Sequence, residues 1–178
     1  MGLEVLFLHG PAAAGKHTIG SIVAKRLELP LFHNHLTVDL VKTLFDFGTP
    51  EFARMREAIW KLSFQAAAEA GRSFLFTFNP EITVRPELIP ELQDLVEERG
   101  GKVHYVELLC SDDEVVRRID NPSRAQFGKL TDPAIFREFK DQGGFDFPPL
   151  PSPILTVDTE RTMPEESAAA IIRAFRRA

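Results

Sequence analysis

An α/β fold with one parallel sheet is the architecture this sequence predicts, and two observations predict it. Strand-like apolar runs alternate along the chain with segments of helical periodicity, the pattern of successive strand–helix units. The first such unit is joined by a Gly-rich loop, residues 10–18, of a kind that sits at the C-terminal edge of a parallel sheet. A length of 178 residues is enough for one domain with a sizeable core, so the expected organisation is a single domain over 1–178.

The elements follow in order. Leu3-Glu4-Val5-Leu6-Phe7-Leu8 is an apolar run that predicts a buried strand. Beyond the loop, Ile19, Ile22, Val23 and Leu27 recur at i, i+3, i+4 and i+8, one face of a helix. A short second strand is expected near 30–34, followed by helical segments at 36–46 and 51–70. The run Ser73-Phe74-Leu75-Phe76-Thr77-Phe78 is the third strand, with a helix near 84–98, and 103–109 is the fourth. Ser111-x-x-Glu114 is a capping box opening a helix at 112–119. Asp132-Pro133 places an N-cap before a proline at the first helical position. The stretch 141–153, with its glycines and four prolines, predicts a loop, and Ile154-Leu155-Thr156-Val157 is the fifth strand. Thr162-x-x-Glu165 opens the last helix, whose core face is Ala168, Ile171, Ile172 and Phe175.

The loop itself reads Gly10-Pro11-Ala12-Ala13-Ala14-Gly15-Lys16-His17-Thr18. Strand, G-x-x-x-x-G-K, helix is the full context of a phosphate-binding P-loop. The spacing has a physical cause. Gly10 and Gly15 allow backbone conformations closed to residues with a Cβ. Successive N–H groups then converge into an anion nest at a helix N-terminus, and Lys16 adds a mobile charge for the outer phosphates. Gly10, Ala13, Ala14, Gly15, Lys16, His17 and Thr18 are the expected nucleotide contacts, and the fold class becomes a three-layer P-loop NTPase fold. Its five-stranded parallel sheet carries helices on both faces. One position departs from the pattern. The residue after the lysine is ordinarily Ser or Thr, whose hydroxyl binds Mg²⁺; here it is His17. Imidazole suits Zn, Cu or Fe, whereas Mg²⁺ prefers oxygen. Thr18 offers a hydroxyl about 100° further round the helix. The expectation is a Mg²⁺ held mainly by phosphates and water, with no metal-ligating side chain.

Composition narrows the function. Hydrophobic residues make up 44% and charged residues 26% of the chain, ordinary for a globular protein. A net charge of -5 with no long basic stripe argues against nucleic-acid binding; Arg173, Arg176 and Arg177 complement the dipole of the last helix or face solvent. Cys110, the single cysteine, excludes an internal disulfide and favours a reducing compartment. No apolar run approaches membrane-spanning length, and the first residues show neither a charged n-region nor a cleavage site. A cytoplasmic protein with no membrane or nucleic-acid partner is expected. Oligomeric state is left open.

The P-loop, followed by Leu29-Pro30-Leu31-Phe32-His33-Asn34-His35, an Arg-Glu helix and the run 117–130, resembles the small P-loop kinases. The superfamily is that of shikimate kinase, gluconate kinase and the nucleoside monophosphate kinases; within it the chain is most similar to a bacterial branch carrying F-H-N-H after the second strand. The resemblance covers nearly the whole chain. It implies γ-phosphoryl transfer from ATP to a hydroxyl of a small metabolite, with a lid at about 117–130 that closes to exclude water. Where shikimate and gluconate kinases carry Asp-x-Asp, this chain has His33 and His35. The resemblance makes His35 the general base, an imidazole being well poised at neutral pH, and puts His33 beside the substrate. Arg54 and Glu57 match a substrate-binding arginine and its partner, with Arg56 the second choice and a surface ion pair the competing role. Trp60 and Phe64 read as core packing, and Asp39 as a solvated helix residue. Asn79 is expected at the acceptor, although Asn79-Pro80 also reads as a simple turn; the glycine-rich run that contacts shikimate is missing there, which argues against shikimate as substrate. In the lid, Arg118 resembles the arginine that stacks on adenine, and Arg124 the one that reaches the transferring phosphate, with Lys129 a third cation. Asp158 and Thr159 occupy the adenine-side loop. The lost Asp-x-Asp and His17 keep a second reading open, a nucleotide sensor or degenerate kinase without efficient catalysis.

Overall fold

The structure, a computed structural model, describes residues 2–119 and 132–178. Five parallel strands form one sheet in the order β2-β3-β1-β4-β5, with β1 (Glu4–His9) at its centre. β2 (Leu31–His33) is the short edge on one side, paired with β3 (Phe74–Phe78). β4 (Lys102–Leu109) and β5 (Leu155–Asp158) extend the other side. The chain runs from β1 to β2 and β3 on one side and then crosses to β4 and β5. The loop after β1 therefore stands where the strand order divides, the place where ligands bind such sheets.

The two faces of the sheet have different chemistry, because successive strand residues point to opposite sides. Phe7, Phe74, Phe76, Phe78 and Tyr105 face α3 (Pro50–Glu69) and α4 (Leu88–Glu97), where Trp60, Phe64, Leu88, Leu92 and Val96 meet them. Phe7 and Phe76 pack edge-on at 5.2 Å, and Trp60 meets Phe76 at 5.5 Å, the edge-to-face geometry that ring quadrupoles favour. Leu6, Leu8, Leu75, Val106 and Leu108 face α1 (Lys16–Leu27) and α7 (Pro164–Phe175), meeting Ile19, Val23, Ala168, Ile171 and Ile172. The result is the expected three layers, one interface aromatic and the other aliphatic.

Several boundaries differ from expectation for local reasons. β2 ends at His33, and α2 (Asn34–Lys42) starts at once, two residues before the expected 36. The Asn34 N–H donates to the Thr77 hydroxyl on β3 at 3.2 Å, which ties the start of α2 to the sheet. α4 begins at Leu88, beyond Pro86, rather than near 84. α5 (Asp112–Ile119) has the Ser111 hydroxyl on the Glu114 N–H at 3.4 Å, whereas the Glu114 carboxylate turns to Arg117 and Arg118, so only half of the capping box forms. α6 (Pro133–Asp141) is capped by Asp132, which accepts from Ala134 N–H at 2.7 Å. α7 starts two residues after Thr162; Glu166, not Glu165, reaches back to the Met163 N–H, and the Thr162 hydroxyl bonds the Asp158 carbonyl and Ser167. Among the described residues, no helix is long and apolar enough to cross a membrane.

Candidate functional site

A cavity of about 1320 Å³ opens at the C-terminal edge of the sheet. It exceeds the usual span of a single small-ligand pocket, about 300–1,000 Å³, and its lining follows the strand order. Ala12–Ile19 line it above the central strand; Thr159–Pro164 and Arg118 line it on the β5 side; His33, Asn34, His35, Arg56, Trp60, Thr77 and Asn79 line it on the β3 and β2 side. Ile135, Phe139 and Phe145, from α6 and the loop after it, add a further wall.

The loop between β1 and α1 has the backbone of a phosphate cradle. Ala13 (φ 59°) and Gly15 (φ 84°) both adopt the left-handed conformation, which alternates the direction of successive peptide groups. Gly15 is the N-cap of α1 and supplies no side-chain acceptor, and the first turn of α1 holds no acidic residue. The helix N-terminus is thus left to an external anion. Gly10 (φ 151°) serves differently: a Cβ there would overlap the Leu108 carbonyl oxygen, so the glycine lets β1 and β4 run close together below the loop. It does not line the cavity among the described residues, unlike Ala13, Ala14, Gly15, Lys16, His17 and Thr18. The Lys16 ammonium donates to the Gly10 and Pro11 carbonyls, each at 2.6 Å, and to Asn79 Oδ1 at 3.3 Å. That reach joins the phosphate loop to the end of β3.

On the β5 side, the Arg118 guanidinium donates to Glu114 at 2.7 Å and to the Thr159 hydroxyl and carbonyl at 3.1 and 2.7 Å. Thr159 is itself bound to the Leu109 carbonyl at 2.9 Å. Arg118 and Thr159 therefore meet at one wall of the cavity. Asp158 does not line the cavity among the described residues: its carboxylate takes the Glu160 N–H and pairs with Arg161. The remaining lid position, Arg124, and the third cation, Lys129, lie outside the described residues, as does all of the expected lid beyond Ile119.

Three imidazoles converge on the other side. His17 and His33 pack edge-on with ring centroids 4.8 Å apart, and His33 and His35 are 6.5 Å apart. His33 ends β2 and His35 stands in the first turn of α2, so the pair does not share a strand face; the strand-to-helix junction brings both rings to the cavity. This donor set does not suit Mg²⁺, which takes oxygen ligands. Among the described residues no group of three His, Cys, Asp or Glu side chains is placed to hold a metal ion.

Arg54, expected beside the acceptor, does not line the cavity among the described residues. Arg54 lies on the solvent side of α3, its side chain 77% exposed and paired with Glu51 at 3.5 Å, and Glu57 pairs instead with Arg85. Arg56 lines the cavity: its side chain is 1% exposed and bonds Glu81 at 2.7 Å and the Thr83 hydroxyl and carbonyl at 3.0 and 2.6 Å. Its guanidinium lies over Phe52 and Trp60, 5.2 and 5.0 Å from the ring centroids. Burial pushes its pKa down, and the Glu81 carboxylate opposes that shift. A signal for it was in the sequence. Phe52, Arg56, Trp60, Phe64 and Ala68 follow one another at i+4, so this arginine interrupts a buried apolar stripe.

His9, at the end of β1, is a residue the sequence did not single out. It is buried, its Nε2 has no hydrogen-bond partner, and its pKa is lowered to about 4 by burial first and by the Lys16 charge second. The sign of the consequence follows. Between pH 6.5 and 4 the unfolded chain binds a proton on this imidazole that the folded chain refuses, so stability is full above about 6.5 and falls on acidification. The loss across that window is expected to reach about 3 kcal/mol. Denaturant melts of the wild type and His9→Leu at pH 4.5 and 7 check it. Parallel pH dependence in the two proteins would contradict a neutral, buried His9.

No protein-family model matches the chain, and no curated protein is similar to it in sequence. Solved structures are similar to it in fold. A candidate kinase from Chloroflexus aurantiacus, solved at 1.70 Å, superposes with a TM-score of 0.70 at 24% identity, over 99% of this chain and 98% of its own. The APS kinase of Mycobacterium tuberculosis, in complex with AMPPNP and APS, gives 0.67 at 12% identity, over 98% of each chain. The shikimate kinase of Acinetobacter baumannii, in complex with shikimate, gives 0.57 at 14% identity, over 98% of this chain and 94% of its own. The chain has the fold of the small P-loop kinases along nearly its whole length.

Proposed function

We propose that this protein transfers the γ-phosphoryl group of ATP to a hydroxyl of a small metabolite. The observation that carries the reading is the single cavity that runs from the loop at the α1 N-terminus to a polar chamber over β3 and β2. Such a cavity seats a nucleotide and an acceptor end to end. The loop amides and Lys16 hold the phosphates, and Arg118 with Thr159 forms the nucleoside wall. The acceptor oxygen attacks the γ-phosphorus while the bond to the β–γ bridging oxygen breaks; ADP leaves with that electron pair, and the acceptor proton passes to His35. His33 and Asn79 orient the acceptor, and Arg124 offsets the charge that develops on the transferred group. Mg²⁺ would be held there by phosphate oxygens and water rather than by a side chain, and would offset charge on the phosphates.

The imidazole donor set favours one alternative, a protein that binds nucleotide without efficient transfer. Calorimetry with ATP, with and without Mg²⁺, followed by a metabolite screen for acceptor-stimulated ADP release, separates the two. Transfer predicts Mg²⁺-enhanced binding and at least one stimulating acceptor, with His35→Ala lowering turnover by about 10²-fold or more at nearly unchanged ATP affinity. Tight binding indifferent to Mg²⁺ with no stimulating acceptor selects the alternative.

A further inference from the structure

We infer that the acceptor presents its hydroxyl on an apolar, ring-bearing skeleton, which Phe47 and Ile82 recognise at the mouth of the chamber; the inference rests on the phosphotransferase reading. Phe47, Ile82 and Ile135 are about half exposed, at 48%, 53% and 53%, and all three line the cavity. Isolated exposed apolar side chains are ordinary, but several gathered on one concave surface mark a binding site. Three contacts gather these. A Cβ on Gly48 would lie 3.8 Å from Thr83 Cγ2, so the turn that carries Phe47 rests beside the segment that carries Ile82. The Ile82 N–H donates to the Gly144 carbonyl at 3.0 Å, which ties that segment to the loop after α6. Phe145, next in that loop, packs edge-on against Phe139 at 4.9 Å, one turn beyond Ile135 on α6. Phe47, Ile82, Ile135, Phe139 and Phe145 thus form one apolar rim drawn from three distant parts of the chain.

Packing within the fold does not account for the rim. Phe136, and not Ile135 or Phe139, is the residue of α6 that fills the core against Val115 and Ile119. Phe47, Ile82 and Ile135 belong to no core cluster among the described residues. The polar side chains beside Ile82 are already engaged, since Glu81 and Thr83 bond each other and Arg56. The chamber is therefore divided. Its inner end, beside Lys16, presents His33, His35 and Asn79, while its mouth presents hydrocarbon. A molecule that reaches from one end to the other needs a hydroxyl at the inner end and an apolar body at the mouth. The hydroxyls of a polyol would lose water there without a partner among the rim side chains. A ring gains by leaving water and by packing against the phenylalanines.

Trp60, the chain's single tryptophan, lines the same chamber, so its fluorescence reports occupancy. With ADP saturating the nucleotide side, the wild type is titrated with 3-phenylpropane-1,2-diol and with glycerol. The two share a terminal diol and differ by a phenyl in place of one hydroxyl. The phenyl compound is expected to give a saturable change at an affinity about tenfold or more above that of glycerol, the effect of moving a phenyl ring out of water. Ile82→Gln and Phe47→Ser put polar side chains in the rim at positions that hold up no core, so both should fold. By calorimetry each should bind the phenyl compound about fivefold or more weakly than the wild type, with glycerol and ADP unchanged. No saturable change with the phenyl compound, equal binding of glycerol, or undiminished binding of the phenyl compound by the folded variants overturns the inference. If one variant does not fold, the other decides together with the wild-type comparison. ADP binding is recorded separately: its absence with the phenyl preference intact would remove the phosphotransferase reading and leave an apolar binding site, and the reverse would remove the ring-bearing acceptor alone.

Discussion

Lys16→Ala is expected to lose phosphoryl transfer by at least about 10²-fold, the cost of removing one preorganised donor from a developing oxyanion. Lys16 is well placed to have that effect. Its ammonium sits against the Gly10 and Pro11 carbonyls and reaches Asn79, so one side chain spans the loop after β1 and the end of β3. It also loses little conformational freedom on engaging phosphate, because it is already held over the loop. The measurement is ATP calorimetry and single-turnover ADP formation on the wild type and the variant at one Mg²⁺ concentration. Wild-type turnover in the variant would mean that this loop does not handle the transferred phosphate. Retained turnover in Lys16→Arg with weaker ATP binding would instead show that charge, and not the compact ammonium, is what the site needs.

The second large effect concerns stability. Glu81→Ala leaves the Arg56 guanidinium buried without its counter-charge, and breaking such a pair costs about 3–5 kcal/mol. For a chain of this size that lowers Tm by roughly 6–20 °C. The double variant Arg56→Met with Glu81→Leu should be markedly more stable than either single one, because it removes the charge along with its partner. Thermal melts of the three variants form the cycle. A Glu81→Ala protein within about 1 kcal/mol of wild type would show that water reaches the guanidinium.

Much of this architecture is legible in the sequence. The P-loop spacing and the apolar run before it place the centre of the sheet, and the period-3.6 patterns place α1, α3 and α7, because all of these rest on local periodicity. What escaped depends on contacts between distant segments. Nothing local stops β2 at His33; the Thr77 hydroxyl on β3 takes the next N–H and starts α2 there. Arg54 and Arg56 are two residues apart and so face different sides of α3, and only the buried stripe from Phe52 to Ala68 decides between them. His9 lies just past the expected strand, and nothing local marks it until β1 extends to include it and the fold closes over it. Gly10 reads as a phosphate contact until β4 is laid beside it. The expected cap at Thr162 shifted because that hydroxyl is bound to Asp158 and Ser167.

The aromatic layer between the sheet and α3 bears on how the chamber can change what it accommodates. Arg56 and Trp60 are at once part of that layer and part of the cavity wall, so substitutions there touch folding and recognition together. Phe47 and Ile82 line the same chamber yet stand about half exposed, at 48% and 53%, and hold up no core cluster. Drift in what the chamber accommodates should therefore accumulate at the rim and spare the floor: new shapes can be explored through Phe47 and Ile82 without disturbing the core beneath them.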